Sequence, residues 1–233
     1  MSSPDDTRDP LTVHGTARRS RRRVLVDAGA LSLVAAGVGV ASAAAQDATP
    51  ASTPLSSPGA PEVPSDEATA DQLVLAKQQG DAYGQALDAM AQIATVQTMN
   101  AGDLVVSLVA EKAEGLYMLQ NGQLQWTEPG ENNAHLEVAP RDAGDGRFVP
   151  GLNITLALRA PDGTEVGEED MPLVWHPWLF HYGKNWTVPA DGTYHATVMI
   201  QPFSGDRHDR DNGQRYAEPV QAEFDIEITT GQK

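Results

Sequence analysis

From residue 103 onward, apolar residues fall in short runs with a period of two, and Gly, Pro, Asn and Asp separate the runs. In 222–229, Phe224, Ile226 and Ile228 alternate with Asp225, Glu227 and Thr229. In 152–158, Leu152, Ile154, Leu156 and Leu158 alternate with Asn153, Thr155 and Ala157. A strand with that pattern turns one set of side chains to a core and the other to water. Similar runs occupy 103–110, 115–120, 123–127, 133–140, 171–175, 192–202 and 217–229, with Asn121-Gly122 and Pro161-Asp162-Gly163 as turn signals. Runs of this length and spacing predict an all-β sandwich over 103–230. No internal repeat is present.

The N-terminal part has a different character. Arg18, Arg19 and Arg21–Arg23 precede an apolar run from Val24 to Ala45 that ends in the small residues ASAAAQ. A basic start, an apolar middle and an A-x-A end make an export signal over 1–45, and Ser20-Arg21-Arg22-Arg23-Val24-Leu25 fits the twin-arginine type. Cleavage is expected near Ala45. The alternative is an uncleaved membrane tether, since the run is long enough to span. Residues 46–69, dense in Pro, Ser, Ala and Thr, read as a disordered linker. Residues 70–100 read as a helix, because Leu73, Ala76, Tyr83, Leu87, Met90, Ala91 and Ala94 fall near one face; Gly80 and Gly84 weaken it.

Charge and composition limit the function. Residues 1–45 hold six of the 16 Lys+Arg and four of the 32 Asp+Glu, leaving 10 basic and 28 acidic residues, a net charge of −18. That surface repels phosphate backbones, so no nucleic-acid partner is expected, and it gathers cations. The chain has no cysteine, so a metal would be held by His, Met, Asp or Glu. No zincin, zinc-finger, calcium-loop, nucleophile-elbow or phosphate-loop motif occurs, which gives no support to a hydrolase.

Ligand-capable residues concentrate in two places. His135-Leu136-Glu137 puts His135 and Glu137 on one side of a strand. The stretch 171–186, MPLVWHPWLFHYGKNW, holds two of the six histidines and three of the four tryptophans. Trp175, Trp178, Phe180 and Trp186 are expected to form an aromatic core. Pro172 and Pro177 cannot both lie within one regular strand, so the strand should break near Trp175, loop, and bring His181 back beside it. His195 reads as a strand-surface residue. His208, in the polar run SGDRHDRD at 204–211, reads on its own as part of a solvated charge cluster.

These residues carry a resemblance. AHLEV at 134–138, Met171-Pro172-Leu173, His181-Tyr182-Gly183-Lys184-Asn185, GTYHATVMIQP at 192–202 and GDRHDR at 205–210 resemble, in order, the motifs of the periplasmic ferrous-iron transport protein family, over roughly 131–229. The resemblance implies an exported immunoglobulin-like β-sandwich that binds copper or another divalent metal and works beside an iron permease. It suggests a homodimer. Residue by residue, it implies a metal site of Glu137, His181 and His208 with a methionine, His135 standing beside Glu137 in the same H-L-E strand. The family's methionine position is Leu173 here, so Met171 or His176 would complete the set. A His-for-Met exchange would move the preference from copper(I) toward copper(II), zinc or ferrous iron. The reading is therefore a metal-binding accessory of iron or copper uptake, not an enzyme. Its rivals are a metal-free binding or adhesion module on the same fold and a copper-dependent ferrous-iron oxidase.

Overall fold

The structure, a computed structural model, describes residues 65–230. The expected export signal, its cleavage site and the linker up to residue 64 lie outside the described residues. The chain then runs through α1 (Ala70–Met90), β1 (Thr95–Ala101), β2 (Leu104–Glu111), β3 (Leu116–Gln120), β4 (Gln123–Thr127), β5 (Ala134–Asp142), β6 (Ile154–Arg159), β7 (Glu165–Asp170), β8 (Leu173–Val174), β9 (His181–Trp186), β10 (Gly192–Ile200) and β11 (Val220–Ile228). One sheet has the order β1-β2-β5-β9-β8 and the other β11-β10-β6-β7, while β3 and β4 form a separate hairpin. All pairings are antiparallel. The fold is thus the all-β, immunoglobulin-like sandwich, preceded by one helix.

The core lies between the two sheets and follows the alternation of the sequence. Tyr194, Ala196, Val198 and Ile200 of β10 and Ala222, Phe224, Ile226 and Ile228 of β11 point inward. They meet Leu104, Val106 and Leu108 of β2 and Leu136 and Val138 of β5. Each of the larger side chains contributes about 1.5–3 kcal/mol by leaving water. His195 lies on the outer, exposed side of β10, where its Nδ1 sits 3.0 Å from Asp225 Oδ1.

Three elements depart from the sequence expectation. The helix stops at Met90, and 95–101 form strand β1 in place of the last helical turns. Thr95, Val96 and Thr98 are β-branched and pack well on a sheet. They pair with β2 from Thr95↔Ala110 to Ala101↔Leu104. Gly102, at φ 58, is the first of two turn residues, the position where a II′ hairpin takes a glycine. The second departure is β7, whose sequence EVGEED has no apolar alternation. It is the edge strand beside β6, and charges are what keep such an edge from pairing further. Third, His181–Trp186 is itself a strand, β9, rather than a loop end.

Thr69 starts α1 with a capping box: its side chain accepts from the Gln72 backbone, and the Gln72 side chain accepts from the Thr69 backbone. Ala76, Gly80, Leu87 and Met90 form its buried stripe. Leu87 and Met90 pack on Val109 of β2, Ala139 of β5 and Leu179, with Tyr83, Ala86, Ala94 and Val96 around them. The helix therefore covers the outer face of the β1-β2-β5-β9-β8 sheet. Gly80 is more than a weak helix former here. A Cβ on it would stand 1.8 Å from the Asp145 carbonyl oxygen, so only glycine lets the helix backbone approach this loop.

Candidate metal centre

β5 carries two sets of residues. Ala134, Leu136 and Val138 face the sandwich core, while His135 and Glu137 face the opposite side, toward α1. β9 divides in the same way. Tyr182 and Trp186 go into the core, where the Tyr182 hydroxyl donates to Val149 O and accepts from Leu152 N. His181, Gly183 and Asn185 share the outer face. The register sets His135 opposite Asn185 and Glu137 opposite Gly183. β8 returns His181 opposite Val174, so the chain breaks, loops over 175–180 and comes back as the two prolines require.

The result is a buried group of His135, Glu137 and His181, each offering one ligand atom, all within 4.8 Å of one another. Glu137 Oε1 is 3.4 Å from His181 Nε2 and 4.0 Å from His135 Nε2. All three residues are 1–2 % exposed. His181 Nδ1 lies 3.0 Å from Leu179 O, and His135 Nδ1 lies 2.8 Å from Asn185 Oδ1. His181 Nε2 and Glu137 Oε2 are buried with no hydrogen-bond partner. Such orphaned atoms are costly unless something completes them.

Gly183 leaves the space for that completion. A Cβ there would lie 2.8 Å from His135 Nε2, 2.8 Å from His181 Cδ2 and 3.0 Å from His181 Nε2. The two imidazole edges thus rest directly over a glycine Cα. Ligands of one ion at ~2.0–2.2 Å stand at most ~4.4 Å apart, so the group needs to close by only a few tenths of an ångström. The residues present fit a divalent cation.

The electrostatics agree. Burial pushes His181 down to about 4 and also lowers His135, so both rings are neutral and ready to ligate near neutral pH. Burial pushes the Glu137 carboxyl up, with Glu111 drawing part of that back and the Glu114 charge adding to it. Glu111, on β2, is raised first by burial and then by its carboxylate neighbours Glu114 and Glu137. A cation would relieve this crowding of acids. Tyr83 of α1 is raised by burial and then by the charge of Glu137; its hydroxyl donates to Phe180 O. The helix thus holds the segment that ends in His181.

The remaining candidates are placed as follows. His176 lies in the 175–180 loop with its ring centroid 6.0 Å from that of His181, edge-on to Trp178, and its Nδ1 is buried without a partner. Met171 is 3 % exposed within the inter-sheet core, its N–H bonded to Ile154 O. His208 is exposed in the 204–211 loop and is outside the group of three. That loop instead anchors the chain entering α1, through Ser65 on Asp209 and Asp66 on Arg210.

The aromatic core expected in 171–186 is corrected. Of the four side chains expected to form it only Trp186 is in the core, beside Tyr182; Trp175 is 71 % exposed, and Trp178 and Phe180 are 44 % exposed. Between Pro172 and Pro177 the chain leaves the sheet, and Leu179 takes the inward position under α1. Cover on this face comes from α1 and Leu179 rather than from the tryptophans. Sequence reasoning also missed Gly183 and Asn185 as parts of the site. Both stand in the H-Y-G-x-N stretch, but their roles appear only once the β5–β9 register is known.

Comparison with known proteins adds the following. The model of the Fe2+ transport protein family matches residues 110–229. FetP of uropathogenic Escherichia coli strain F11, as isolated after expression in the periplasm of E. coli, is 20 % identical, with a TM-score of 0.50 over 60 % of this chain and 97 % of its own. A copper-bound variant of the same FetP is 19 % identical, with a TM-score of 0.50 over 60 % and 94 %. The copper-reconstituted P19 protein of Campylobacter jejuni is 16 % identical, with a TM-score of 0.49 over 60 % and 98 %. At these identities the structural likeness concerns the fold. No curated protein matches the chain.

Proposed function

The chain belongs to the Fe2+ transport protein family, and on that premise we propose that it is an exported metal-binding accessory of iron or copper uptake that holds a divalent cation and passes it to a membrane permease. The observation that carries the reading is the convergence of His135, Glu137 and His181 on one buried spot with unpartnered ligand atoms. Two imidazoles and a carboxylate suit copper(II), ferrous iron or zinc better than copper(I). The copper bound by the FetP variant supports copper as one such cation. His176, its ring centroid 6.0 Å from that of His181 and its Nδ1 unpartnered, would supply a fourth ligand.

In this reading Glu137 supplies the negative charge and the histidines supply direction. The acidic surface concentrates cations around the protein. Binding offsets the cost of an ionised, buried Glu137, so cation uptake releases the proton that burial otherwise favours on its carboxyl. Export to the periplasm, or display on the outer side of a membrane, places the site where an uptake permease draws its cargo.

The test is metal analysis of protein purified without an affinity tag, after loading with copper(II) or with ferrous iron under anaerobic conditions. The wild type is expected to retain one ion per chain and His181→Ala none, with an unchanged circular dichroism spectrum. Equal retention by both proteins would refute the site.

A further inference from the structure

We infer that Asn185 is a positioning residue that fixes the proton of His135 on Nδ1 and thereby presents a bare Nε2 to the cation. The inference rests on the metal reading for the use made of Nε2; the proton position itself follows from hydrogen bonds alone.

The amide of Asn185 bonds both backbone polar groups of Glu114. Its Nδ2 is 2.7 Å from Glu114 O, and its Oδ1 is 3.3 Å from Glu114 N. A backbone carbonyl can only accept and a backbone N–H can only donate. The amide therefore has one orientation: Nδ2 donates to Glu114 O, and Oδ1 accepts from Glu114 N. The reversed orientation would set oxygen against oxygen and N–H against N–H. His135 Nδ1 lies 2.8 Å from that same Oδ1. The oxygen has no proton to give, so Nδ1–H must be the donor. In a neutral imidazole the other nitrogen is then an acceptor. That nitrogen, Nε2, is the atom that faces Glu137 Oε1 and rests over Gly183.

The two histidines reach the same state by different routes. His181 donates Nδ1–H to Leu179 O, a backbone group two residues earlier, which no substitution of a side chain removes. His135 depends on a side chain directly across the strand pair. Asn185 in turn is oriented by Glu114, 71 residues away in sequence and just ahead of the β3–β4 hairpin. Partners of this kind on the far nitrogen orient metal-ligating histidines, and their loss typically lowers affinity by about 10- to 100-fold.

The experiment uses the full chain with 15N-labelled histidine and two variants, Asn185→Leu and Asn185→Asp. Leucine has a similar size and cannot accept; aspartate keeps an acceptor for His135 and for Glu114 N, and loses only the donation to Glu114 O, from which its second oxygen must turn away. In metal-free wild type, two-bond 15N–1H correlation is expected to place the His135 proton on Nδ1. Asn185→Asp keeps that signature, and Asn185→Leu loses it, while His181 stays Nδ1-protonated in all three. Copper(II) titration should then give a Kd about 10- to 100-fold weaker for Asn185→Leu and within about threefold of wild type for Asn185→Asp. A wild-type His135 protonated on Nε2 would overturn the inference. So would equal weakening in both variants with the His181 signature intact, since that is the mark of a packing role. If the wild type takes up no copper(II), the metal reading falls, and the tautomer data still decide the assignment of Asn185.

Discussion

Gly183→Ala isolates the geometry of the site from the chemistry of its ligands. The backbone at Gly183 is an ordinary strand, so alanine is conformationally allowed and gains about 0.5–1 kcal/mol over glycine through its smaller loss of chain entropy. Against this stands the methyl group. It would lie 2.8 Å from His135 Nε2 and from His181 Cδ2, where contacts of ~3.5 Å are the ordinary minimum. Both rings must retreat by several tenths of an ångström. Overpacking of this kind costs about 1–3 kcal/mol, so the metal-free variant should be between unchanged and about 2.5 kcal/mol less stable. The effect on metal is larger, because a site tolerates only about 0.2 Å of error in its ligand distances. Affinity should fall by at least about 100-fold. With free metal at 100 times the wild-type Kd, binding stabilises the wild type by about 2.7 kcal/mol; at the same concentration the variant gains about 0.4 kcal/mol. Thermal unfolding with and without copper(II) measures this difference. A variant whose thermal shift equals that of the wild type would refute the claim that the ligands share the space over Gly183.

Other expected outcomes can be checked separately. The folded pKa of His181 is depressed to about 4 from an ordinary 6.5, so the unfolded chain binds the extra proton first as pH falls. The stability from neutral His181 is therefore complete above about pH 6.5 and lost toward pH 4; the urea midpoint of the metal-free wild type, relative to His181→Asn, should fall over that window. Gly80→Ala should destabilise the protein by about 1–3 kcal/mol despite alanine's better helix propensity, because its Cβ meets the Asp145 carbonyl oxygen; chemical denaturation shows the sign. His208→Ala, a change at an exposed position outside the group of three, should alter the copper(II) Kd by less than about threefold by competition titration, whereas His135→Ala should weaken it by at least tenfold.

The sandwich was legible because its core obeys one local rule. Phe224, Ile226 and Ile228, or Leu152, Ile154 and Leu156, announce a half-buried strand without knowledge of their partners. The elements that escaped do not follow that rule. Acidic β7 has no core face to advertise, and β9 is interrupted by Gly183, whose meaning is a close approach rather than a turn. β1 reads as a continuation of the helix because Ala91–Ala94 keep the helical composition, although Thr95, Val96 and Thr98 mark the change. Of the clustered group, His135 and Glu137 were legible as i and i+2 on one strand, and His181 through its motif. The parts that depend on pairing across strands were not: Asn185 matters because it is opposite His135, and α1 matters because it lies on that face.

The interleaving of β5 and β9 has a consequence for how such a protein can change. Along each strand, every second residue packs into the sandwich, and the residues between include the three of the candidate site, His135, Glu137 and His181. The two sets are written in the same stretch of chain but spelled at odd and even positions. On the proposed site, substitutions at 135, 137, 181 and 185 would retune which ion is held while Leu136, Val138, Tyr182 and Trp186 keep the scaffold intact. The tolerance does not extend to length. One residue inserted into β5 would exchange the two sets, turning histidine and glutamate into the oily interior and leucine and valine out under the helix. On that reading, cation preference in this chain would drift by point substitution and be closed to change by insertion.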